Sequence, residues 1–278
     1  MTERKVKKTN SNTVLKKTKD IRLSIQFSLD GFSFCIQDSQ TEESLYFSEY
    51  LFEEKQISPE ELLEKTTSIF TSDPHLQKDF SSVLVIHQNE LYTLVPQKYF
   101  KEDQLSNYLD FNIKTLKTDF IAFDNLEINN SNSVYVPYIN INNYLFQNFG
   151  EFTYKHHISA LIEKLISKNT FEAFEVYVNV SSSTFDVIVI HDKNLKFVNS
   201  FSYHSKEDFI YYILFVFEQL KLDSEKVPLY FMGKISLESE IYKITFEYIR
   251  NVFFNESKNT IFKNLDLPAH DNYILLGS

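Results

Sequence analysis

Alternating apolar positions open the readable part of the chain. Leu23 to Ile36 (LSIQFSLDGFSFCI) is two strand-like runs around Asp30-Gly31, a hairpin signal. A third strand is predicted over Leu45 to Phe52. Ser58-Pro59-Glu60-Glu61 then predicts a helix start: Ser58 caps, Pro59 takes the first helical position and Glu61 completes a capping box. Leu62, Leu63, Thr66, Ile69 and Phe70 supply the apolar face of that helix. Val83 to Ile86 reads as a short buried strand, with Leu91 to Val95 close behind.

The second half repeats this order. Strands are predicted over Phe174 to Val180, Phe185 to Ile190 and Leu195 to Phe201. A helix opens at Ser205 with Asp208 in the capping-box position, and a buried strand follows over Leu229 to Met232. Gln26 and Asn179 lie 153 residues apart, the caps Ser58 and Ser205 147 apart, and the strands at Val83 and Leu229 146 apart. Three strands, a crossover helix and a further strand, used twice, predict two similar α/β lobes. Between the repeats, Glu102 to Asp110 reads as helical, Phe120 to Phe123 and Val134 to Tyr138 as strands, and His156 to Ser167 as an amphipathic helix. Asn129 to Asn132 and Pro137 mark loops. Leu237 to Asn251 is expected to be a helix and Tyr273 to Leu276 a terminal strand. The predicted division is a disordered tail over 1–20, an N-terminal lobe with an insertion over 21–155 and a C-terminal lobe over 156–278.

The helix from Ser205 to Leu220 contains Phe209 to Phe217, apolar on every face. Such a helix is expected to be covered all round, between the lobes or by a partner chain, and the internal position is the reading adopted. That run is nine residues, well short of the roughly 20 that span a bilayer. No apolar stretch follows the basic N-terminus, so no signal peptide and no membrane partner are expected.

Composition sharpens the picture at three points. The 27 Phe and 17 Tyr supply a large core and exclude disorder of the whole chain. The single cysteine, Cys35, excludes an internal disulfide, fits a cytoplasmic location and reads as a buried strand residue. Charge is uneven: residues 1–20 carry a net +5 within a total of −10, which leaves −15 for the rest. An acidic body repels phosphate backbones, so no nucleic acid is expected to bind it. The tail reads as solubilising, with a weak polyanion hook as the other reading.

The run Asn179-Val180-Ser181-Ser182-Ser183-Thr184-Phe185-Asp186-Val187 resembles the second phosphate loop of actin-like ATPases, which in heat-shock chaperones reads Asp-Leu-Gly-Gly-Gly-Thr-Phe-Asp-Val. Thr184, Phe185, Asp186 and Val187 match. Asn179 stands in place of the magnesium-linked Asp, and Ser181, Ser182 and Ser183 replace three glycines. Ile25-Gln26-Phe27-Ser28 resembles the Ile-Asp-Leu-Gly of the first phosphate loop, with Gln26 for Asp and Ser28 for Gly. Met232-Gly233-Lys234-Ile235 resembles the adenosine loop, keeping Gly233 of its glycine pair. From Ile21 onward the chain also resembles an uncharacterised bacterial family, the domain of unknown function 3822 of Bacteroidetes, on segments such as Leu94-Val95-Pro96, Thr118-Asp119-Phe120 and Phe152-Thr153-Tyr154-Lys155-His156. The resemblance implies an α/β actin-like fold of two ribonuclease-H-like lobes and no assigned activity.

The chemistry that such loops perform is not matched by these residues. The chain holds four glycines, where average usage of about 7% would give roughly 20. Glycine lets backbone N–H groups approach phosphate oxygens; serines put side chains into that space. Gln26 and Asn179 are neutral amides and cannot supply the charge that holds Mg²⁺. The resulting expectation is a vestigial nucleotide cleft lined by Gln26, Ser28, Asn179, Ser181, Ser182, Ser183, Thr184, Asp186, Gly233 and Lys234. No catalytic or metal-binding residue and no cofactor are assigned, ATP with magnesium being the alternative. A non-catalytic binding or scaffold protein with an unidentified protein partner is therefore expected. A divergent actin-like ATPase or small-molecule kinase is the alternative function. Two weaker sites are set aside. Asp30 is explained by its turn, and His156-His157, as neighbours on a helix, are expected to point apart rather than bind a metal.

Overall fold

A computed structural model describes residues 2–3, 20–52, 58–116, 118–168 and 172–277 of the 278-residue chain. Most of the expected basic tail, residues 4–19, lies outside the described residues. The chain divides into two compact units, Met1–Ala160 with Lys263–Leu265 and Leu161–Phe262 with Asp266–Ser278.

The first unit is built on a six-stranded sheet of order β1-β4-β3-β2-β5-β9. Its strands are β1 (Thr2–Glu3), β2 (Ile21–Ser28), β3 (Gly31–Asp38), β4 (Ser44–Phe52), β5 (Ser82–His87) and, later in the chain, β9 (Thr153–His156). In β2, Leu23, Ile25 and Phe27 are buried while Arg22, Ser24, Gln26 and Ser28 are half-buried, the two-residue period of a strand with one face in the core. Helix α1 (Pro59–Ser72) forms where the capping box predicted it: Glu61 N–H donates to Ser58 Oγ and the Glu61 carboxylate accepts from the Ser58 N–H. Its Leu62, Ile69 and Phe70 join Leu23, Ile25, Phe27 and Phe34 in one core.

An insertion between β5 and β9 carries a three-stranded sheet of order β6-β8-β7: β6 (Tyr92–Pro96), β7 (Ala122–Leu126) and β8 (Ser131–Tyr135). Helix α2 (Leu105–Asp110) packs there through Leu109, beside Val95 and Val134. Helix α3 (Ile139–Phe149) follows; its Ile141 and Leu145 enter the main core of the unit.

Helix α4 (His157–Lys168) contains the division between the units, which falls between Ala160 and Leu161. The second unit then repeats the sheet: β10 (Phe174–Val180), β11 (Thr184–His191), β12 (Asn194–Ser202), β13 (Leu229–Gly233) and β14 (Val252–Phe254), in the order β12-β11-β10-β13-β14. Helix α5 (Lys206–Gln219) starts on the Ser205–Asp208 capping box, and helix α6 (Glu240–Tyr248) on Ser239. The helices α7 (Ile261–Leu265) and α8 (Tyr273–Leu276) complete the chain.

The two sheets match residue by residue. Gln26 opposes Ser33 as Asn179 opposes Asp186, and Gln26 pairs with Ile86 as Asn179 pairs with Met232. Even the irregularity recurs: the register shifts in β4 at Leu45 and in β12 at Lys196, equivalent positions of the third strand. A further strand, β9 or β14, pairs parallel with β5 or β13 and extends each sheet beyond the four strands predicted for the repeat.

Several local expectations are corrected. Tyr273 to Leu276, expected as a strand, is a helix with all four side chains buried, because packing rather than intrinsic preference decides so short a segment. His156 belongs to β9 rather than to the helix, which starts at His157. Thr2–Glu3, placed by the sequence in the disordered tail, pairs antiparallel with Leu51 and Phe52, since the edge of β4 offers backbone groups to an extended segment. The hairpin turn is Leu29–Asp30, and neither Asp30 nor Gly31 has a positive φ. Gly31 is needed for space, because a Cβ there would stand 2.8 Å from the Tyr50 carbonyl oxygen. Helix α5 is not covered all round. Tyr211 is 62% and Phe215 43% exposed, because only one side of a helix can lie on a sheet.

Candidate functional site

In the second unit, the candidate residues are drawn together by the pairing of three strands. Asn179, Asp186 and Ser200 lie side by side on β10, β11 and β12. Asn179 Nδ2 donates to Asp186 Oδ2 at 2.9 Å, and Ser200 Oγ donates to Asp186 Oδ1 at 2.5 Å. Asn179 and Asp186 are 4% and 3% exposed, so the carboxylate is buried and each of its oxygens has a protein donor. Ser200 was not singled out from the sequence. The signal was there in the predicted strands, but placing Ser200 beside Asp186 needs the register, bulge included.

The loop Ser181–Ser183 joins β10 to β11. The Ser181 N–H donates to the Thr184 carbonyl at 2.9 Å, closing the turn back on β11. Tyr203 holds the other side: its N–H donates to Ser183 O and its hydroxyl to Ser181 O, both at 3.0 Å. Thr184 opens β11 opposite Ser202.

Gly233 ends β13 with φ +85°, and a Cβ there would stand 2.3 Å from Val180 O and 3.1 Å from Asn179 Oδ1. Glycine is therefore demanded twice, by conformation and by close approach. The amides of this loop are used within the chain. Gly233 N–H donates to His270 O, Lys234 N–H to Val180 O, and Ile235 N–H to Gly233 O. Lys234 Nζ lies 3.0 Å from Asp271 Oδ1 in an ion pair. His270 Nε2 donates to Ile235 O at 2.7 Å, and its ring stacks on Phe254 at 4.1 Å. The segment around His270 and Asp271 was not anticipated; nothing local marks a contact 37 residues downstream of Lys234.

Gln26 and Ser28 belong to the first unit, on one face of β2. Gln26 is flanked by Ser33 and Glu49 along β3 and β4, the counterparts of Asp186 and Ser200. Gln26 Nε2 donates to Gln88 Oε1 at 2.7 Å, while Gln26 Oε1 is buried with no partner among the described residues. Ser28 Oγ accepts from the Asp30 N–H at 3.2 Å.

The first unit also buries a polar cluster that the sequence did not reveal. His87 Nδ1 accepts from the Tyr138 N–H, which leaves Nε2 to donate to Asn142 Oδ1 at 3.0 Å. Burial holds its pKa down to about 3, so the ring is neutral. Asp124 accepts from the His156 N–H at 2.8 Å and from the Tyr135 hydroxyl at 3.1 Å, and burial raises its pKa. His156 is lowered well below the ordinary histidine value by burial, then by His157 and His87. The His156 and His157 rings, expected to point apart, lie 4.5 Å apart across the junction of β9 and α4. Among the described residues no group of three His, Cys, Asp or Glu is placed to hold a metal ion. Cys35 is buried in β3, as read from the sequence. No described helix is long and apolar enough to cross a membrane.

Comparison with known proteins identifies the family and the fold. The chain belongs to the family described as protein of unknown function (DUF3822), whose model matches residues 10–252. No curated protein is significantly similar in sequence. A Bacteroides thetaiotaomicron protein of known structure, described as having an actin-like ATPase fold and unknown function, superimposes with a TM-score of 0.77. It is 24% identical, and the match covers 86% of this chain and 92% of that one. A structure described as the PilM-PilN type IV pilus biogenesis complex matches with a TM-score of 0.55 and 8% identity, over 88% of this chain and 89% of that one. At these identities the likeness establishes the fold, which is that of the actin-like ATPases.

Proposed function

We propose that this DUF3822 protein is a non-catalytic binding or scaffold protein with a degenerate actin-like nucleotide cleft. The observation that carries the reading is the buried row Asn179–Asp186–Ser200. An amide stands where the resemblance expects a magnesium-linked acid, and it donates to the neighbouring carboxylate instead of leaving an oxygen for a cation. Three further features support it. Gln26 brings a second neutral amide, the Gly233 and Lys234 amides are already bonded inside the chain, and Lys234 is paired with Asp271. A magnesium nucleotide needs oriented backbone donors and carboxylates near the metal, and these residues do not suit it. Residues Gln26, Ser28, Ser181, Ser182, Ser183, Thr184, Gly233 and Lys234 are thus read as a vestige of a site, with no cofactor.

The partner is expected to be a protein, and the location the bacterial cytoplasm, consistent with a single cysteine. One similar structure is a complex of type IV pilus biogenesis proteins, so a protein partner is in keeping with that likeness. One observation favours the second reading, a divergent ATPase or small-molecule kinase. Asp186 retains the acid of the Thr-Phe-Asp-Val motif.

Calorimetry and a phosphate-release assay on the full chain with ATP and Mg²⁺ separate the two. The expected result is binding weaker than about millimolar, roughly 4 kcal/mol, and no release above background. Micromolar, Mg²⁺-dependent binding with release that is lost in Asp186→Asn would establish the enzyme reading.

A further inference from the structure

The geometry points to the free edge of the second unit's sheet, at β12 beside α5, as the docking site for an extended, acidic and apolar segment of a partner protein, added as an antiparallel strand. Among the described residues β12 ends the sheet order. The Tyr203 N–H bonds to Ser183 O, so the odd-numbered positions that follow down β12, Phe201 and Asn199, take the inward hydrogen-bonding pairs with β11. The backbone N–H and C=O of Val198 then point away from the sheet, toward an added strand.

Beside this edge lies an aromatic strip. The Phe201 ring stacks on Tyr212 of α5 at 4.8 Å, Tyr212 meets Tyr211 at 5.4 Å, and Tyr211 stacks on Phe215 at 6.4 Å. Tyr211 and Phe215, 62% and 43% exposed, are the side chains that a helix buried all round would hide. A strand edge flanked by an apolar helix side is the arrangement used in strand addition: main-chain bonds give affinity, and alternate side chains of the peptide fill the neighbouring groove.

Two observations define the occupant. The equivalent strand of the first unit, β4, carries an added antiparallel strand, Thr2–Glu3, on Leu51 and Phe52, the counterparts of Ser202 and Tyr203, so the repeat accepts a strand along this edge. The start of β12 has a net positive charge: Lys193 and Lys196 are exposed against the single exposed acid Asp192, and neither lysine makes an ion pair among the described residues. Lys196 also sits on the bulge, which together with its charge guards the start of the strand against indiscriminate pairing. Pairing is thereby confined to the part around Val198, and an acid in the segment answers the lysines while apolar residues lie on Tyr211 and Phe215.

The proposal rests on the binding-protein reading, and its test is separate. A phage-displayed library of random 12-residue peptides, panned against the full chain, supplies the probes; the enriched peptides are then synthesised and titrated by fluorescence polarisation. Expected sequences alternate apolar residues and include Asp or Glu. Their binding should weaken by about tenfold or more in Val198→Pro, which removes the outward donor, and in Lys196→Glu and Phe215→Ser. The last two are exposed positions, so they carry the test if the proline variant fails to fold. Enrichment of no peptide, or of peptides insensitive to Lys196→Glu and Phe215→Ser, overturns the proposal. So does a dimer of the chain alone that Lys196→Glu dissociates, because the edge is then occupied by a second copy. Mg²⁺-dependent ATP turnover would end the reading given above without altering any of these titrations.

Discussion

Asn179 and Asp186 face each other across β10 and β11, and the amide of one donates to the carboxylate of the other at 2.9 Å. With Ser200 on the opposite oxygen, Asp186 is bonded on both sides in a setting that water hardly reaches. A buried charge of this kind is tolerated because its donors are fixed, and it becomes costly when one of them is lost.

Asn179→Asp would restore the acid that the motif resembles and place two carboxylates in contact. Like charges at this range cannot both ionise, so one pKa should rise strongly. The variant should be destabilised by about 1–3 kcal/mol at neutral pH and recover as the pH is lowered. Urea unfolding at pH 7.5 and pH 5 measures it. Equal losses at both values would show that charge repulsion is not the cause.

His87 is held neutral down to about pH 3 by burial, and His156 is lowered in the same direction. Between the ordinary histidine value of about 6.5 and these lowered values the unfolded chain binds more protons than the folded one. Stability therefore rises with pH in that window and is lost as the pH falls through it, by about 1.4 kcal/mol per unit for each ring at most. Asp124 acts with the opposite sign, because its raised pKa favours the folded state toward low pH. Denaturant midpoints should fall from pH 7 to pH 5, where the histidines dominate. His87→Gln should flatten that slope; an unchanged slope would remove His87 from the account.

Gly233→Ala should be severely destabilising. The methyl group would meet Val180 O at 2.3 Å, and φ is +85°. Strain and displacement together should cost about 3 kcal/mol. Thermal unfolding of the purified variant is the measurement. A loss under about 1 kcal/mol would mean that β13 can shift away from β10 without harm.

Each repeat unit starts its crossover helix on a capping box, at Ser58 with Glu61 and at Ser205 with Asp208. Ser58→Ala and Ser205→Ala should each cost about 1 kcal/mol. Chemical denaturation of the two variants checks this, and a loss from only one would show that the two units differ in how far they depend on their caps.

Much of this architecture was legible because its signals are local. The capping boxes, the alternation in β2 and the repeated order of strands and helix all depend on residues within a few positions of each other. Their spacing, read twice, yields the duplication. Glycine scarcity and the amides Gln26 and Asn179 marked the candidate site in the same way. Helix α3 was missed because its Asn-rich start resembles a loop, and Ile141 and Leu145 become informative only when a core exists to receive them. Strands β9 and β14 are too short to show a period, four and three residues, and exist through their pairing with β5 and β13.

By itself, then, the sequence determined the repeat, the crossover helices and the types of residue at the site, since periodicity and capping act over a turn or a strand. Tertiary structure alone decided that Ser200 meets Asp186, that Asp271 takes Lys234, and that Tyr273 to Leu276 forms a helix. Those outcomes depend on strand register, a bulge and packing across 14 to 37 residues of chain. Free energy at such separations is set by which partners burial leaves available, and no local preference encodes that.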